Sequence, residues 1–243
     1  MGGEPRSTVP VSVRDFLRFL CSSAPVAAMF LTVYASAWLL TVLGMTAGLP
    51  LTPHNPLVGA FTYALVFDDW GHYSLWMFIA IWLLSAFLLA AIRSVSPGAV
   101  AHLEGPKQWS IAAVSIYLSA ALGSFFSLAF FGALIEELEL GGHTGAAAFL
   151  GSLLESHGIV GQSALVYAAI GYLAALLICA SARIHGRDPR GLVAARSVAA
   201  TWLVVIIAAL RLQFSEVANW EAHTYSLLLG MAFGLLISVL SAR

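Results

Sequence analysis

The chain has 243 residues, 60% of them hydrophobic and 9% charged, with a formal net charge of −1 and a mean hydropathy of +0.90. Soluble domains carry about 25% charged residues, so this chain cannot cover a water-facing surface and is expected to be an integral membrane protein. Its size suits one compact bundle, and the near-neutral charge, without a basic patch, argues against a nucleic-acid partner.

Residues 1–20 read as a short polar tail carrying Arg6, Arg14 and Arg18, and residues 21–243 as one membrane domain. Six segments approach the roughly 20 apolar residues that span a bilayer. They predict helices over Pro25 to Ala47, Trp70 to Ile92, Trp109 to Leu134, Gly158 to Ala182, Val193 to Leu210 and Ala222 to Leu240. Helices are expected because lone strands leave backbone groups unsatisfied in lipid. The first apolar run is too long, and lacks the small-residue exit, for a cleaved signal. The loop after it, "LPLTPHNPLVGAFTYALVFDD", has no Lys or Arg and is expected to lie in the outer leaflet. The stretch "GGHTGAAAFLGSLLESHG" before the fourth segment reads as a small-residue connection, with His143 and His157 as loop residues. Cys21 and Cys179 lack ligand spacing, so no metal site is implied.

Charge sets the expected orientation. Arg6, Arg14, Arg18, Arg93, Lys107, Arg183, Arg187, Arg190, Arg196 and Arg243 fall on one side; Arg211 alone, of the 11 basic residues, falls on the other. Basic residues stay cytoplasmic, so both termini are expected there. The outer loops carry Asp68, Asp69, Glu136, Glu137, Glu139, Glu155, Glu216 and Glu221.

With that topology the even helices all begin at the outer face. His72, Ser163 and His223 stand near those three ends. Ser163 is expected about five residues, or roughly 7 Å, into its helix. Taken singly, a serine in a membrane helix is a packing residue, and His72 beside Asp68, Asp69 and Trp70 reads as interfacial. His223 precedes an uninterrupted apolar run, and an ionisable group inside a membrane helix is a functional candidate.

These residues carry a resemblance. "GQSALVYAAIGY" resembles the fourth helix of the rhomboid intramembrane serine proteases, through Gly161, Ser163, Val166, Tyr167, Gly171 and Tyr172. "AHTYSLLLGMAFG" resembles that family's sixth helix, through Ala222, His223, Gly230 and Gly234, with Ser226 where glycine is usual. "TYALVFDDWGHYSLWM" resembles the entry to its second helix, through Thr62, Tyr63, Trp70 and His72. Trp76 stands where the family usually has Asn, and Ala164 where it has Gly.

The resemblance implies a six-helix bundle in the cell membrane and a Ser-His dyad without a carboxylate. Ser163 would be the nucleophile and His223 the general base. Tyr167 would stack on the histidine. The N–H groups of Gln162 and Ser163, with the His72 side chain, would hold the oxyanion, and Gly161 would support the turn. No cofactor is needed. The implied partners are the lipid bilayer and membrane proteins cut near a transmembrane helix. Two alternatives stay open: an inactive rhomboid-like protein that binds membrane helices, favoured by Trp76 and Ala164, and a transporter, opposed by the absence of a broken-helix pair. Gly230 and Gly234 make a Gly-x-x-x-Gly face, read as packing of the sixth helix on the fourth, with homo-oligomers possible.

Overall fold

The computed structural model describes residues 11–46, 49–66, 71–156, 162–184, 196, 199–203, 205–206 and 220–241, apart from the side chains of 71, 72, 153, 155, 156 and 220. Among these residues every regular element is a helix. In chain order they are α1 (Val13–Ser22), α2 (Ala24–Val42), α3 (Pro56–Thr62), α4 (Gly71–Val95), α5 (Pro97–Val100), α6 (Pro106–Leu140), α7 (Thr144–Ser156), α8 (Ser163–Ala182) and α9 (Trp220–Leu240). Five, namely α2, α4, α6, α8 and α9, contain stretches long and apolar enough to cross a membrane. The chain is thus all-α, with the helices of a multi-pass membrane protein. Of the expected span Val193 to Leu210, only 196, 199–203 and 205–206 are described, and they are helical.

Three expectations differ from what is found. Residues 13–20 are not a free polar tail. They belong to α1, which buries Phe19 completely. Asp15 of α1 accepts a hydrogen bond from Arg93 at 2.9 Å, and Arg18 pairs with Glu104 at 3.1 Å. Arg93 also meets Glu104, so one guanidinium joins α1, the end of α4 and the α5–α6 turn. Of the three arginines that suggested a tail, Arg18 helps pin this helix, and Arg6 lies outside the described residues.

Helix α6 runs six residues past the apolar stretch, through Glu136, Glu137 and Glu139. Backbone bonding does not need apolar side chains once the helix leaves lipid. At 35 residues it is about 52 Å long, against a hydrocarbon core of about 30 Å. It stops where Gly142 takes a φ of 78°. There His143 N–H bonds Leu138 C=O and Gly142 N–H bonds Glu139 C=O, a paired C-terminal cap that favours glycine. Gly44, at φ 67°, ends α2 in the same way.

The small-residue connection before α8 is itself helical, as α7. Its Ala and Leu residues are strong helix formers, so small size there signals helix propensity rather than loop.

Helix α8 is the centre of the bundle. Of its most apolar window 83% is buried, against 28–44% for the other four spans. Helices α4, α6 and α9 surround it. Its closest neighbour is α9, because both helices give up side chains where they meet. A Cβ on Gly171 would run into the Leu227 carbonyl, one on Gly230 into the Ala168 carbonyl, and one on Gly234 would lie 2.7 Å from Tyr172 O. The Gly-x-x-x-Gly face is therefore spent on α8, inside the chain. Helix α6 closes the other side through Gly123, whose Cβ would meet Ser226 of α9.

Arg93, Lys107 and Arg183 gather at one end of this bundle, and Glu136, Glu137, Glu139 and Glu221 at the other. These are called below the basic and acidic ends.

Candidate active site

Ser163 is the first residue of α8, at the acidic end. It stands nearer the helix start than the five residues expected. Gly158 and Gly161 lower helix propensity there; both, with His157, lie outside the described residues. The N–H groups of Leu165 and Val166 bond the Gln162 carbonyl at 3.1 and 3.4 Å. Those of Ser163 and Ala164 thus precede the first bond of the helix, and are free to face a negative charge at its positive end.

Gln162 is fully buried. Its Nε2 donates to Ala64 C=O at 3.2 Å, which ties the segment after α3 to the start of α8. Tyr117 of α6 holds α3 itself by donating to Phe61 C=O. Ala164, where glycine was the expected residue, is buried with its methyl group accommodated.

His223 lies in the first turns of α9, 3% exposed. Its Nε2 is 2.7 Å from Ser163 Oγ. The Tyr167 ring stacks on the imidazole, with centroids 4.3 Å apart and planes within 10°. Tyr167 is four residues after Ser163, so one face of α8 presents both the hydroxyl and the ring that holds its partner. Ser163 itself keeps partial exposure, so a reactant can reach its oxygen.

For Nε2 to accept the Ser163 proton, the neutral ring must carry its own proton on Nδ1. That atom is buried without a partner among the described residues. Glu221 does not fill the role. Two residues before His223, it stands about 200° round the helix, and its Oε2 is also buried without a partner among the described residues.

His72 lies in the first turn of α4, and its side chain is outside the described residues. Trp76, one turn on, is 68% exposed. The face of α4 turned into the bundle carries Ser74, Phe78, Ile81 and Ser85 instead. The indole therefore does not fill a space beside Ser163. It faces outward because the buried stripe of α4, whose Phe78 stacks on Phe30 of α2, falls on the opposite side of its helix. Ser74, buried at 5% exposure, is a polar residue on that inward face that sequence reading passed over. Its spacing of four from Phe78 was the signal available.

The described residues hold no group of three His, Cys, Asp or Glu side chains that could grip a metal ion. Cys21 and Cys179 are free thiols.

Comparison of the chain with protein-family models, with curated proteins and with solved structures finds no match in any of the three.

Proposed function

We propose that the chain is a rhomboid-like intramembrane serine protease. It crosses the cell membrane six times, with the basic end and both termini cytoplasmic. One observation carries this reading. A serine hydroxyl and a buried histidine lie 2.7 Å apart, with a tyrosine stacked on the imidazole, between two helices of membrane-spanning length. A packing serine needs no histidine partner, and a buried imidazole is not placed against a hydroxyl by apolar packing alone.

The chemistry then runs as acyl transfer. Ser163 Oγ attacks the scissile carbonyl carbon while its proton passes to His223 Nε2. The carbonyl oxygen becomes an oxyanion at the start of α8, with the N–H groups of Gln162 and Ser163 as the proposed backbone donors and His72 as the proposed side-chain donor. As the C–N bond breaks, the proton on Nε2 goes to the leaving amine. Water then attacks the ester, giving a proton to Nε2, and that proton returns to Ser163 Oγ. Gly161 supports the turn that presents the N–H groups. Tyr167 and the α8–α9 packing fix the ring in place of a carboxylate. No cofactor enters these steps. The substrate is a transmembrane segment of another membrane protein, cut near the outer face.

The inactive, helix-binding alternative rests on Trp76, which supplies no side-chain donor at the expected place. One experiment separates the two. Purified protein is treated with a fluorophosphonate probe, and a model transmembrane substrate is offered in proteoliposomes. Wild type should be labelled at Ser163 and should cleave; Ser163→Ala and His223→Ala should do neither. A wild type indistinguishable from Ser163→Ala in both assays would sink the protease reading and leave the binding one.

A further inference from the structure

The protease reading leaves the His223 Nδ1 proton without a holder, and the packing of α6 on α9 points to one. The two helices meet at Gly123 and Ser226, closely enough that no side chain fits on Gly123. They run antiparallel, since α6 ascends to the acidic end and α9 descends from it. One step outward from that contact is therefore three residues back along α9, which is His223, and four residues forward along α6, which is Ser127.

The rotation agrees. Ser127 is about 40° round α6 from Gly123 and Phe126 about 60° the other way. The Phe126 ring meets Tyr225, on the far side of α9 from α8, with centroids 6.2 Å apart. Ser127 is thus turned toward the α8 side, where His223 also faces. Ser124, about 100° round, lies instead beside the Tyr63 hydroxyl.

Ser127 is fully buried and its Oγ has no hydrogen-bond partner among the described residues. Two orphaned, complementary groups, an Nδ1–H donor and a hydroxyl acceptor, thus share one level of one helix interface. Buried polar groups are rarely left so without reason. Catalytic hydrogen bonds are often long in the unliganded state and tighten in the Michaelis complex. We propose that Ser127 is a positioning residue, whose hydroxyl oxygen takes the Nδ1–H of His223 in the reacting state. It thereby selects the tautomer in which Nε2 is free to accept from Ser163. This rests on the protease reading for its purpose, but not for its geometry.

The test uses full-length protein in detergent with 15N-labelled histidine. His223 is assigned by difference against His223→Gln. Wild type should show His223 mainly as the Nδ1–H tautomer. Ser127→Ala should lose much of that preference and slow fluorophosphonate labelling of Ser163 about 10-fold, the worth of one neutral hydrogen bond. In substrate cleavage the loss should appear in kcat, with KM unchanged. Ser127→Thr, which keeps the hydroxyl, should restore the tautomer; Ser127→Cys, a poorer acceptor, should fall between. A thermal melt confirms that each variant folds. An unchanged tautomer in Ser127→Ala overturns the proposal, whether or not the protein is a protease. If wild type is never labelled but the tautomer still responds to Ser127, the hydrogen bond stands and the protease reading fails. Equal labelling of wild type and Ser127→Ala leaves the protease reading and removes Ser127 from it.

Discussion

Replacing Gly171 by alanine tests whether helix separation sets the candidate site's geometry. A Cβ there would lie 2.9 Å from Met231 N and 3.0 Å from Leu227 C, and would run into Leu227 O. All three are backbone atoms, so no side chain can swing aside. Ordinary contacts between such atoms are about 3.5–4.0 Å, so α9 must withdraw by roughly 0.5–1 Å at this crossing. His223 is one turn from Leu227 on the same face and moves with it. The Ser163–His223 distance, 2.7 Å in the native packing, would then pass the range of about 2.5–3.0 Å for a hydroxyl hydrogen bond. Overpacking of this kind costs about 1–3 kcal/mol, and a displacement of about 1 Å at a reacting centre costs on the order of 10²-fold in rate.

The assay is the rate of fluorophosphonate labelling of Ser163, beside a thermal melt in the same detergent. Gly132→Ala is the control, because nothing lies within 4 Å of a Cβ built at that position of α6. It should gain up to about 1 kcal/mol of helix propensity and label at the wild-type rate. A Gly171→Ala protein that melts and labels like wild type would refute the argument that glycine contacts hold the dyad together.

Three further outcomes are expected. Trp76→Asn should cost clearly less than the about 3–5 kcal/mol of truncating a buried aromatic, since the indole is exposed and leaves no hole; a loss of that full size in the melt would mean that it is buried. Arg93→Ala should release α1 from α4 and the α5–α6 turn, read as faster protease cutting within residues 13–22 and a loss of about 1–2 kcal/mol for a part-buried network; unchanged cutting would mean that Phe19 alone anchors the helix. His102 in the turn after α5 accepts from Arg183 at 2.7 Å, and burial, then the Arg183 charge, lowers its pKa from 6.5 to about 4. The unfolded chain therefore takes up this proton first as pH falls, so the stability His102 provides is complete above about 6.5 and is lost progressively toward 4. His102→Gln should flatten the fall in melting temperature across that window, and a slope equal to the wild type's would exclude His102 as its source.

The fold was legible wherever lipid dictates sequence. A bilayer asks for long apolar runs, and α2, α4, α6, α8 and α9 all sit on the expected segments. What was missed lies where lipid sets no rule. Helix α1 is polar on one side and shows its role only once Arg93 and Glu104 are brought beside it from other parts of the chain. Helix α7 is built from residues whose small size suits both a loop and a helix, and pattern alone does not separate them. The ends of α6 and α8 depend on cap geometry and glycine spacing rather than on apolarity.

The candidate site divides along the same line. Topology put Ser163 and His223 at one depth and spacing put Tyr167 on the face of Ser163, while their pairing as a dyad with a stacked ring was legible only through the rhomboid resemblance. Even helices share an end, and a separation of four shares a face. Trp76 could not be oriented from its own neighbours, because the inward stripe of α4 is chosen by the helices packed around it, α2 and α8 among them. Ser127 was invisible for a further reason. Its level relative to His223 depends on which residues of α6 and α9 touch, and that is settled by Gly123, a residue without a side chain to signal its contact. The same glycine logic runs through Gly171, Gly230 and Gly234. Tyr167 stacks on the imidazole, but the separation of α8 and α9, and with it the Ser163–His223 distance, is held by glycines that let the backbones approach, the positions with the least chemistry of their own.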